Sequence, residues 1–224
     1  MLHWITYGAW RVLSKVRVAA ACLCTMTAAQ ADTVEVIALG DSLTAGYGLI
    51  DAQGFVPKMR AYLESAGLDV RLVNAGVSGD TTAGGLSRVA WSLNPSTDAL
   101  IVALGGNDLL RGLDPERARD NLEGILEVAQ ENALEVLIVG MEAPGNYGPD
   151  YKAEFDAIYP ELAEAHDALY FPRFFEGLYT DGETPADIRP LMQPDGIHPN
   201  AEGVERIVEA MGPAVVELVQ RAAD

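Results

Sequence analysis

The chain is poor in several residue types, and each shortage removes a class of function. Its 224 residues include two cysteines, Cys22 and Cys24, both near the N-terminus. Beyond them no thiol remains to act as a nucleophile, hold zinc or cross-link the fold. Histidine is equally scarce: His3, His166 and His198 are the only three, and no pair sits at metal-ligand spacing. Positive charge is short too, with 15 Lys and Arg against 33 Asp and Glu and a formal charge of −18. Such a surface repels nucleic acid and anionic membranes and favours solubility. A Gly-x-Ser-x-Gly elbow and a phosphate loop are absent, and Gly46-Tyr47-Gly48 lacks the third glycine of a dinucleotide fingerprint. The expected chemistry therefore uses no cofactor and no metal.

An apolar run long enough to cross a membrane is also missing near the N-terminus. Arg11, Lys15 and Arg17 precede the run Val18–Ala29, which ends at Ala29-Gln30-Ala31. Twelve residues rise about 18 Å as a helix, short of the roughly 30 Å hydrocarbon core. A basic region, a short apolar region and a small-x-small site predict a secretory signal peptide over 1–31, cleaved before Asp32. Neither cysteine follows a Leu-x-small triplet, which argues against a lipoprotein. The mature chain would then be 32–224, a single domain, periplasmic or secreted, without a stable membrane span. Losing Arg11, Lys15 and Arg17 takes its formal charge to −21.

No repeat or low-complexity tract follows residue 32. Short β-type runs alternate with longer amphipathic segments, the pattern of an α/β fold with a parallel sheet. Continuous apolar character marks strands at Val34–Leu39, Val70–Asn74, Ala99–Leu104 and Val136–Met141, with a weaker one near Ala168–Phe171. Helices are expected from Phe55 to Ala66 with Gly67 as the stop, and from Asp114 as cap with Pro115 in the first turn through Val128. Another covers Pro149–His166, and a last one follows Asn200, with a disturbance expected near Gly212-Pro213. Tyr151, Phe155 and Tyr159 recur every four residues in the third of these. They form one helix face, read as the buried side in preference to an acyl groove.

Ligands of open α/β sheets bind beyond the carboxyl ends of the strands, so the residues there carry the argument. The first strand runs into Gly40-Asp41-Ser42-Leu43 and the second into Gly76-Val77-Ser78-Gly79-Asp80-Thr81; Gly105-Gly106-Asn107-Asp108 follows the third. Near the C-terminus stands Asp195-Gly196-Ile197-His198-Pro199-Asn200. Four such blocks in this order resemble the SGNH (GDSL) hydrolases over nearly all of residues 33–210. Within that family the chain is most similar to the bacterial periplasmic thioesterase I / lysophospholipase L1 / arylesterase group, a likeness that Asn146-Tyr147-Gly148 shares. The resemblance implies a flavodoxin-like three-layer α/β/α sandwich with a central parallel sheet of about five strands. It implies Ser42 as nucleophile, and an oxyanion hole from the backbone amides of Ser42 and Gly79 and the side chain of Asn107.

Residue chemistry supports those roles separately. Serine needs a base to take its proton. His3 leaves with the signal and His166 sits in a helical stretch, whereas His198 stands in a Gly/Pro-bounded loop three residues after Asp195. Asp195 can then bind one ring nitrogen and leave the other facing Ser42, completing a triad. The bland alternative has Asp195 and Asn200 capping the turn and the last helix. Gly79 precedes Asp80-Thr81, a helix N-cap, so its amide would lie near a positive dipole end. Asn107 offers an uncharged donor; ordinary turn chemistry is the alternative for both residues. Asp41 is expected to hold the nucleophile loop through nearby backbone, with no chemical step of its own.

The expected reaction is acyl transfer to water on small ester, thioester or lipid substrates: aryl and short-chain esters, lysophospholipids and acyl thioesters. Acyl-CoA is cytosolic and anionic, so an exported acidic protein would meet something else. Two rivals are a carbohydrate-active acetylesterase of the same fold and a non-catalytic periplasmic acyl-binding protein. In the 142–151 loop, Ala143 stands where the resemblance leads one to expect a larger aliphatic residue before Pro144, so the resemblance does not carry over a preference for long acyl chains.

Overall fold

In the computed structural model, the described residues are 33–179 and 186–224. The expected signal peptide over 1–31 lies outside them, and the described residues belong to one compact unit. Five parallel strands make a single sheet in the order β2-β1-β3-β4-β5. They are β1 (Val34–Gly40), β2 (Val70–Gly76), β3 (Ala99–Ala103), β4 (Glu135–Val139) and β5 (Leu169–Phe171). This is the flavodoxin-like order, the expected fold. Each expected strand is present within one or two residues of its sequence bounds. The central strands β1 and β3 are buried throughout, as strands covered on both faces must be.

The principal helices are α1 (Ser42–Ala45), α2 (Phe55–Ser65), α3 (Thr82–Ser92), α4 (Gly106–Arg111), α5 (Pro115–Glu131), α6 (Pro149–Ala165) and α7 (Ala201–Ala222). Helix α2 packs on α7 over one face of the sheet; α3, α5 and α6 pack in series over the other. Expected caps are in place: Asp114 accepts from the Glu116 amide with Pro115 in the first turn, and Asn200 accepts from the Gly203 amide at 3.0 Å. Each such cap is worth about 1 kcal/mol.

Two sequence expectations need correction. Helix α7 runs unbroken through Pro213. The carbonyl freed by the proline belongs to Glu209, and both residues face solvent, where water can satisfy it. On the opposite face Val204, Ile207, Met211, Val215 and Leu218 are buried and hold the helix together. Gly212 lets α7 press onto α2, because a Cβ there would lie 2.3 Å from the Tyr62 ring. His166, expected inside a helix, is instead the half-buried C-cap of α6.

The aromatic face of α6 is core. Phe155 and Tyr159 are fully buried, and the Tyr159 hydroxyl donates to the Leu104 carbonyl at 2.9 Å. That bond anchors the carboxyl end of β3. The strand order reverses between β1 and β3, so the loops after these two strands diverge and leave a crevice. Gly40 is level with Gly76 on one side and Ala103 on the other. Three of the four sequence blocks therefore leave the sheet at one height.

Candidate active site

Ser42 is the first residue of α1, a helix of four residues. The chain can turn into it at once because residue 40 is glycine: a Cβ there would lie 2.0 Å from Thr44 Oγ1. Asp41 caps the turn, its Oδ1 accepting from the Leu43 amide at 2.9 Å. As the first helical residue, Ser42 has an amide with no intrahelical acceptor. The second block turns at Gly79, whose φ of +86° is a left-handed conformation that glycine adopts without strain. Thr81 then caps α3 by accepting from the Gly84 amide. Asn107 is the second residue of α4.

His198 arrives on a loop pinched shut at its base. Met192 and Pro199 form an antiparallel bridge, and the Gln193 amide donates to the His198 carbonyl at 2.7 Å. At the tip, Asp195 Oδ1 accepts from the amides of Ile197 and His198 at 2.9 and 3.0 Å. Its Oδ2 lies 2.8 Å from His198 Nδ1, and His198 Nε2 lies 2.8 Å from Ser42 Oγ. A carboxylate can only accept, so Nδ1 carries the proton and Nε2 is left to accept from the Ser42 hydroxyl. The Ile197 amide first, then the His198 ring and amide, hold the Asp195 carboxyl down at about 2. It is therefore ionised at any ordinary pH. The Tyr47 ring tilts over the imidazole at 4.6 Å between centroids.

A cavity of about 1150 Å³ opens at this point. Ser42, Gly79, Asn107 and His198 share its polar corner, so all four candidate groups face one space. Asn107 Nδ2 donates one proton to Asp41 Oδ2 at 3.2 Å, which leaves its second proton available to a ligand. Asp41 is almost fully buried, and loss of solvent raises its carboxyl to about 6 against the bonds from Leu43 and Asn107. Elsewhere the walls combine apolar side chains, Leu109, Met141, Phe174, Ile188 and Met192 among them, with the charged Glu142, Arg173, Glu176 and Arg189.

The sequence profile of the GDSL-like lipase/acylhydrolase family matches residues 38–206, which takes in all four blocks. The chain belongs to this family. It is 37% identical over 191 residues to the esterase TesA of Pseudomonas aeruginosa, covering 85% of this chain and 92% of that one. It is 36% identical over 198 residues to thioesterase 1/protease 1/lysophospholipase L1 of Escherichia coli, covering 88% and 89%. Among solved structures, the SGNH-hydrolase family esterase AlinE4 superimposes with a TM-score of 0.67 at 46% identity, over 83% of this chain and 96% of that one.

Several contacts of this GDSL-family site have no counterpart in the sequence reading. Asp108 accepts from Thr82 twice, from its amide at 2.9 Å and its hydroxyl at 2.7 Å, tying α4 to the start of α3. The only signal was its place beside Asn107. Gln193 Nε2 bridges the carbonyls of Tyr47 and Pro199 at 2.8 and 3.0 Å, and so joins the nucleophile loop to the histidine loop. Ala143 does not line the cavity; it is buried, with its amide donating to Asp156.

Proposed function

We propose that the protein is a serine esterase and thioesterase that hydrolyses carboxylic esters through an acyl-enzyme on Ser42. The observation that carries this reading is the hydrogen-bonded chain Ser42–His198–Asp195 opening onto the cavity. Ser42 Oγ attacks the carbonyl carbon while its proton passes to His198 Nε2, and Asp195 stabilises the imidazolium that results. The carbonyl oxygen becomes an oxyanion, met by the amides of Ser42 and Gly79 and by Asn107 Nδ2. Collapse expels the alcohol or thiol, which takes the proton back from His198. Water, activated by the same imidazole, then releases the carboxylic acid and restores Ser42.

The substrates that fit are aryl and short-chain esters, lysophospholipids and acyl thioesters, with the acyl or aryl part against Met141, Phe174 and Met192. Relatives named esterase and thioesterase/lysophospholipase support that range. The basic and apolar N-terminal segment supports export and cleavage before Asp32. No helix among the described residues is long and apolar enough to cross a membrane.

Ser42→Ala tests the reading. Turnover of p-nitrophenyl esters should fall by about 10⁶, as with other nucleophile deletions, and fluorophosphonate labelling should vanish. Labelling that persists at another serine, such as Ser78, would sink it.

A further inference from the structure

Asp80 stands in the second block without a role in the chemistry above, and Arg88 lies in none of the blocks. Their side chains meet beneath the site. Arg88 Nε donates to Asp80 Oδ2 at 2.6 Å, and its two terminal nitrogens donate to the carbonyls of Ala75 and Gly40 at 2.8 and 2.9 Å. One guanidinium thus joins the end of β1, the end of β2 and the residue after Gly79. Both side chains are only about one-fifth exposed, at 21% and 17%, so the pair is shielded from competing water and salt. The fold makes room for it: Gly84 faces the carboxylate, and a Cβ there would lie 2.4 Å from Asp80 Oδ1.

Gly79 immediately precedes Asp80 in the chain. Its carbonyl accepts from Arg111 at 2.9 Å, and the Asp80 amide closes the turn onto the Val77 carbonyl at 3.0 Å. Among the described residues its own amide donates to no protein atom, which leaves it free for a ligand. Gly40 immediately precedes Asp41 and Ser42, so the same guanidinium also fixes the strand end that carries the first oxyanion amide. Lysine offers one nitrogen and could not span three acceptors in a fixed plane, as the guanidinium fork does.

We infer that Arg88, acting through Asp80, is a positioning residue that sets the Gly79 amide against Ser42. The inference rests on the reading of Gly79 as an oxyanion donor. A misplacement of about 1 Å in a reacting geometry can cost about 10²-fold in rate. The clamp should therefore act on kcat and leave substrate affinity alone.

The test uses Arg88→Lys and Asp80→Ala, separately and combined, with kinetics on p-nitrophenyl butyrate, melting curves, and binding of an arylboronic acid. The boronate becomes a tetrahedral anion on Ser42 and so reports on the oxyanion hole. Each single variant should lose about 10- to 100-fold in kcat with KM within about threefold, and boronate affinity should fall in parallel. The double variant should be no worse than the worse single one, because both break one clamp. If melting temperatures fall while kcat and boronate affinity hold, Arg88 only staples the strand ends and the inference is wrong. Should Arg88→Lys fail to fold, Asp80→Ala decides alone, since it spares both carbonyl contacts of Arg88. Fluorophosphonate labelling of wild-type Ser42 separates the two failures: without it the site reading falls, and with it only the clamp is at stake.

Discussion

Asp41 offers an unusual test, because one substitution should stabilise the protein and slow it. Its carboxyl is almost fully buried, and burial raises it from the ordinary 3.8 to about 6. Between those values the native state binds the proton that the unfolded chain has released, so stability falls as pH rises through this window. Above about 6 the ionised group costs the fold about 3 kcal/mol, at 1.36 kcal/mol per pH unit. Asp41→Asn cannot ionise and resembles the protonated acid at every pH. It should match the wild type below pH 4 and exceed it by about 3 kcal/mol at pH 7, or about 6–12 °C in melting temperature for a domain of this size. Catalysis should respond in the opposite sense. The carboxylate gives one oxygen to Leu43 and the other to Asn107, whereas an amide has a single oxygen for two donors. Asn107 then loses its fixed orientation, and kcat should drop by about 10- to 100-fold. Urea unfolding of both proteins from pH 4 to 8, beside kcat at pH 7, measures the two effects. A stability gap that does not change with pH would refute the burial argument. An unchanged kcat would refute the link to Asn107.

Other perturbations probe single parts of the site. Asn107→Ala should cost about 10²–10³ in kcat, roughly 2.7–4 kcal/mol, with KM nearly constant, and steady-state kinetics would read that split. Asp195→Asn should lower kcat by up to about 10⁴ with little change in KM, because the imidazolium loses its counter-charge. Because the Asp195 carboxyl is held at about 2, its stabilising contribution is complete above 3.8 and lost as pH falls through about 2. Acid unfolding of the wild type and this variant should therefore converge toward pH 2. N-terminal sequencing of exported protein should begin at Asp32; a membrane-bound form starting at Met1 would contradict cleavage.

What could be read from the residues themselves was whatever lies close together along the chain. The distant pairing of Ser42 with His198, 156 residues apart, was legible through the order of the four blocks and the family resemblance they carry. The strands declared themselves through short runs rich in apolar residues, and the caps at Thr81, Asp114 and Asn200 through residues a few positions from their partners. Asp195 and His198 are three apart, so their contact was accessible from spacing alone. Pro213 misled because its effect depends on which side of α7 faces water, and a proline in a sequence does not state that. The contacts between loops were invisible for a different reason. Asp41 and Asn107 are 66 residues apart, Thr82 and Asp108 are 26, and Tyr47 and Gln193 are 146. Such pairs have no period and no local motif, and they appear only once the strand order has set the loops side by side.

Those long-range contacts divide the cavity into two mechanical halves. Asp41 links the first block to the third, Asp108 links the third to Thr82 directly after the second, and Arg88 links the second back to the first. The three links close a ring beneath the candidate oxyanion donors, each made by a charged group that is largely withdrawn from water. Moving any one loop would break at least one such bond and leave a desolvated charge, so the polar corner resists displacement. The rest of the lining is built differently. Met141, Phe174 and Met192 face it beside the charged Glu142, Arg173, Glu176 and Arg189, and methionine repacks around varied shapes at little cost. A rigid polar corner suits a charge distribution that is the same for every ester, and an adaptable wall suits acyl groups that differ. Breadth of substrate and rate of reaction can then be set independently within one cavity.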